Sequence, residues 1–140
     1  MDMDILSKRI KRAVESVLDN EALAGGLDES AGYILQQWGI KNVTRIAAET
    51  ETLSDDQAEE AMYPHLKASR RLMRAIRVWV QHEKDVPTDE RERLWGKIEK
   101  RAKVLYGEDL ILPSPGKFSG DTQAEFIKNL LEWLDNNRML

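Results

Sequence analysis

The segment LSDDQAEEAMYPHLKASRRLMRAIRVWVQHEKD, residues 53–85, decides the fold. Leu66, Leu72, Met73, Ile76, Trp79 and Val80 return every three or four positions, the period of a helix with one buried face. Ser54 and Gln57 have capping-box spacing, which starts the helix. Asp55, Asp56, Glu59 and Glu60 crowd its beginning and arginines crowd its far half, the order that the helix dipole favours. Pro64 removes a backbone donor within this pattern, which predicts a kink or break just before it.

The same period extends outward in both directions, and strand-like alternation is nearly absent. Upstream, a first helix is expected from Asp4 to Leu18, followed by a stop at Gly25 and Gly26. A second runs from an Asp28 cap to Trp38, with Gly39 as its left-handed stop. A short third helix follows, capped by Asn42 and apolar at Val43, Ile46 and Ala47. Downstream, Thr88 caps a helix that Gly107 ends, with Leu94, Trp95, Ile98, Ala102 and Leu105 inward. Pro113 and Pro115 keep the next loop extended, and Leu110-Ile111-Leu112 dock on the core. Asp121 caps the last helix, which buries Phe126, Ile127, Leu130, Leu131 and Leu134. The expected fold class is all-α: residues 1–140 as a single-domain antiparallel bundle of five to six helices, with one long Pro-kinked central helix. The four tryptophans, at 38, 79, 95 and 133, are expected to anchor its core, one per main helix.

Composition removes several function classes. The sequence has no cysteine, which excludes disulfide scaffolds, thiolate metal sites and cysteine nucleophiles. No apolar run approaches the ~20 residues that span a bilayer. The charged N-terminal stretch does not read as a signal peptide, so a cytoplasmic location with no membrane partner is expected. The net charge of −4 is unevenly spread: residues 1–64 carry −7, residues 65–103 carry +6 and residues 104–140 carry −3. A basic block between acidic ones is the main electrostatic signal.

Within that block Lys67, Arg70, Arg71, Arg74 and Arg77 form one stripe, opposite the apolar face of the same helix. Arginine suits bidentate contacts to carboxylate or phosphate. The stripe is therefore the candidate binding face, and its expected partner is an acidic protein or an RNA backbone. The alternative is a solvated face paired with nearby carboxylates.

Arg77 and His82 close the stretch RVWVQH. Their spacing resembles the Arg-x4-6-His signature of the HEPN family, small helical domains that often act as metal-independent ribonucleases. The resemblance covers six residues, and Val78 stands where the family often has a polar residue. It implies that His82 handles the 2′-hydroxyl proton while Arg77 steadies the phosphate. On a continuous helix the two side chains would point ~140° apart, so they would need a helix break or a second subunit.

A further alternative is a DNA-reading helix-turn-helix over residues 31–48, turning at Gly39 and reading bases with Lys41, Asn42, Thr44 and Arg45. The −7 around it is the wrong field for phosphate, so a corner between two core helices is favoured. His65 is expected to pack on the apolar side of the long helix. No cofactor loop, metal set or catalytic triad is legible, and paired carboxylates such as Asp89-Glu90 belong to helix starts. The function expected is therefore a small interaction or regulatory module rather than an enzyme, binding an acidic partner through the basic face. A homo-oligomer is compatible with it.

Overall fold

The computed structural model describes residue 27, residues 29–49 and residues 52–138. The expected helix from Asp4 to Leu18 and the stop at Gly25 and Gly26 lie outside the described residues. Among the described residues there are four helices: α1 Glu29–Glu49, α2 Asp55–His82, α3 Thr88–Tyr106 and α4 Gln123–Asn136. A 3-10 turn, Pro115–Phe118, precedes α4. Among the described residues there is no strand, and the fold is all-α.

α2 starts where its sequence says it should. The Ser54 side chain accepts from the Gln57 backbone N–H, and the Gln57 side chain accepts from the Ser54 N–H. The helix runs from Asp55 to His82 through Pro64, which lies on its exposed side. Leu66, Leu72, Met73, Ile76 and Trp79 are buried, and Val80 is half-buried. Full burial of one such aliphatic side chain contributes about 1.5–3 kcal/mol, so this stripe outweighs the missing hydrogen bond at the proline. One hydrophobic cluster draws on all four helices. α2 packs most extensively on α3, and α1 packs on both α2 and α4.

Each helix carries one of the four tryptophans. Trp38 and Trp79 are buried, while Trp95 and Trp133 are half-buried against the cluster. Trp79 and Trp95 pack with tilted rings 4.9 Å apart between centroids, which closes the α2–α3 hairpin. The Trp95 indole N–H donates to the Pro113 carbonyl at 3.0 Å, and the Leu112 N–H donates to the Glu99 carboxylate at 2.8 Å. These two bonds lay the loop after Gly107 along α3. Gly107 itself stops α3 at φ 126°, a conformation that favours glycine. Leu110 and Leu112 dock as expected, whereas Ile111 between them is exposed.

The structure corrects four local expectations. α1 does not stop at Gly39 but runs as one helix from Glu29 to Glu49. Ala31, Leu35, Trp38 and Asn42 fall on one buried face across the glycine, and that burial outweighs the ~1 kcal/mol that glycine costs inside a helix. Asn42 is therefore not a cap. It sits within the helix, and its amide donates to the Trp38 carbonyl at 3.0 Å. Thr88 is the first residue of α3 rather than its cap, a position that Pro87 takes without a side-chain bond. The cap of α4 is Thr122, one residue after Asp121.

Candidate functional site

Two polar regions stand out, one exposed and one enclosed. The exposed one follows from the hairpin. Residues 83–87 connect α2 to α3, and the Arg91 side chain donates to the Glu83 carbonyl at 2.9 Å across that connection. Along the seam between the two helices lies a groove of about 250 Å³. Arg71 and Arg74 of α2 and Arg93, Lys97 and Arg101 of α3 line it. Ala75, Val78 and Leu94 complete the lining as its apolar part. No carboxylate lines it. Arg93 is held from behind by Glu90, which accepts from it along the helix. That hydrogen bond holds the Glu90 carboxyl below its ordinary range and raises the Arg93 guanidinium. Like charges gathered in one concavity set up a field that attracts anions.

Of the stripe expected from sequence, Lys67, Arg70, Arg71 and Arg74 are exposed. Arg71 and Arg74 reach the groove, and Lys67 and Arg70 lie outside its lining. Arg77 is half-buried, and its Nη1 donates to Gln81 at 3.5 Å. The α3 half of the groove was not foreseen. Its signal was present in the spacing of Arg93, Lys97 and Arg101, four residues apart on one helix face.

The other expected sites do not assemble within one chain. Arg77 and His82 share an unbroken helix, so they point ~140° apart, and His82 is exposed at its last position. Residues 31–48 contain no turn, and a helix-turn-helix needs one. Asn42 is buried, Lys41 lies 3.7 Å from Asp135, and Arg45 pairs with Glu49 at 3.1 Å. The side chains of Val43, Thr44, Ile46 and Ala47 lie outside the described residues. His65 is exposed rather than packed on the apolar side. Among the described residues no three His, Asp or Glu side chains gather as a metal site.

The enclosed region centres on Tyr106, which is fully buried. Its hydroxyl accepts from the Trp38 indole N–H and donates to Asp135, both at 2.8 Å. The Arg138 guanidinium lies 4.5 Å over its ring and donates to Asn42 at 3.1 Å and to the Leu105 carbonyl at 3.4 Å. This seam ties together α1, α3, the end of α4 at Asp135 and Arg138 just beyond it. Burial, followed by the Asp135 charge, pushes the Tyr106 hydroxyl well above the usual tyrosine range. The group is thus kept protonated, as a structural donor.

A larger cleft, about 570 Å³, opens between the end of α2 and the start of α4. Its helix N-terminus is already occupied. The Glu125 carboxylate accepts from the Asp121 N–H at 2.7 Å, and Thr122 Oγ1 accepts from the Glu125 N–H at 3.1 Å. Gly120 allows this close return, since a Cβ there would lie 2.6 Å from Glu125 Cβ.

No family model matches the chain, and no curated protein or solved structure matches it. Among the described residues no helix is long and apolar enough to cross a membrane.

Proposed function

We propose that this chain is a small helical interaction module that binds an acidic protein segment in the groove between α2 and α3. It takes the whole chain as one antiparallel bundle of five to six helices, kinked at Pro64. The supporting observation is the convergence of five cations from two helices on one concavity without a carboxylate. Arginine forks bind carboxylates bidentately, and several at once select a run of acids over a single one. The apolar lining at Ala75, Val78 and Leu94 adds a place for an aliphatic side chain of the partner. No aromatic ring lines the groove, so RNA bases would have no stacking platform there.

The test is a fluorescence-anisotropy titration of the full chain with labelled acidic peptides that carry one aliphatic residue, beside a single-stranded RNA of equal charge. The peptide is expected to bind in a salt-dependent manner. Lys97→Glu with Arg101→Glu is expected to weaken it roughly tenfold or more, since each reversal places like charge against the ligand. RNA binding without peptide binding overturns the proposal. RNA cleavage in chelator that His82→Ala abolishes would replace it with the ribonuclease alternative.

A further inference from the structure

The outer face of α2 carries a second pattern, which shares Arg74 with the groove. Asp56, Glu60, Tyr63, Lys67, Arg70 and Arg74 follow one another at alternating intervals of four and three residues, which keeps them on one stripe of the helix. All six are exposed, Tyr63 to 63%. The stripe is acidic at one end, aromatic in the middle and basic at the other end.

The order is antisymmetric in charge about position 65. Glu60 and Arg70 are equidistant from it, as are Asp56 and Arg74, and as are Tyr63 and Lys67. A surface built this way is complementary to itself under a two-fold rotation. We infer that two copies of this chain associate through antiparallel α2 helices crossing at the level of residue 65 along the axis. In that arrangement Glu60 meets the partner's Arg70, Asp56 meets the partner's Arg74, and the partner's Lys67 lies over the Tyr63 ring. A parallel arrangement would set acid on acid and arginine on arginine. The pairs cannot close within one chain, because residues 60 and 70 are about 15 Å apart along the helix and residues 56 and 74 about 27 Å.

The contact is a single helix face, well short of the ~800 Å² per partner of a standard interface. The dimer is therefore transient, and salt weakens it. It draws on Arg74 of the groove but not on Lys97 or Arg101, so a variant at those two tests the proposed function separately. It also separates the two Arg77–His82 sets by about 36 Å along the paired helices, too far to share a cleft.

Sedimentation equilibrium on the full chain over a range of concentration and salt tests this. Wild type is expected to dimerise reversibly at low salt and to dissociate at high salt. Glu60→Arg alone and Arg70→Glu alone should each weaken dimerisation roughly tenfold or more, because each creates two like-charge contacts across the axis. The double variant, Glu60→Arg with Arg70→Glu, should restore it. A thermal melt by circular dichroism checks that each variant folds, and Tyr63→Ala, at an exposed position, should weaken the dimer while leaving the melt unchanged. Lys97→Glu with Arg101→Glu should leave dimerisation intact. A chain that stays monomeric at every concentration, a dimer indifferent to both single reversals, or a double variant that stays monomeric overturns the inference.

Discussion

Arg138 and Arg101 carry the same guanidinium and put it to opposite uses. Arg138 lies over the ring of buried Tyr106 and bonds to Asn42 and a backbone carbonyl. Arg101 joins four other cations around an open groove. In the Tyr106 seam every polar group is fixed by another across three parts of the chain. In the groove, charges of one sign gather around an open concavity that no carboxylate lines. A polar group in the seam acts on stability, because its loss strands a buried donor or acceptor. A charge in the groove acts on binding, because solvent covers its loss to the fold.

The largest expected effect breaks the seam. Tyr106→Phe leaves the Trp38 indole N–H without its acceptor and Asp135 without its donor, and should cost about 2–4 kcal/mol in urea unfolding. The same residue sets a pH dependence. Its folded-state pKa is raised, so the stability it contributes is fully present below the ordinary tyrosine value of ~10 and is lost as pH rises above it. Alkaline destabilisation should therefore be shallower in Tyr106→Phe than in wild type. A neutral Tyr106→Phe would erase the distinction between the two regions.

A smaller effect of opposite sign is expected at Gly96, an exposed position in the middle of α3 where an added Cβ meets nothing within 4 Å. Gly96→Ala should stabilise the fold by about 1 kcal/mol through helix propensity. Peptide affinity should stay unchanged, since neither region contains this residue. The groove variant Lys97→Glu with Arg101→Glu should shift stability by no more than about 0.5 kcal/mol while it weakens peptide binding roughly tenfold or more, the inverse of Tyr106→Phe. The finest test is Glu90→Gln, which releases Arg93 to the groove and should tighten peptide binding roughly twofold with an unchanged melting temperature.

Much of the scaffold could be read from residue spacing because its causes are local. The Ser54–Gln57 capping box, the Gly107 stop, and the buried stripe of Leu94, Ile98, Ala102 and Leu105 depend on neighbours within a few positions. Gly39 misled because a local stop signal competed with non-local burial of Leu35 and Trp38, and burial won. The Tyr106 seam was illegible for the same reason, since its bonds join residues 68, 29 and 96 positions apart. The groove lies between these cases. Each of its halves is a local pattern of cations on one helix face, and only the hairpin at residues 83–87 sets them side by side.

One indole per helix also makes the chain its own optical gauge. Trp79 and Trp95, 4.9 Å apart, are close enough for their transitions to couple, so near-ultraviolet dichroism from this pair reports closure of the α2–α3 hairpin that holds the groove open. Trp38, bonded to the Tyr106 hydroxyl, reports the opposite end of the molecule by its emission. With Trp79→Phe and Trp38→Phe each silencing one signal, the unfolding of the two regions can be timed separately in an unlabelled sample.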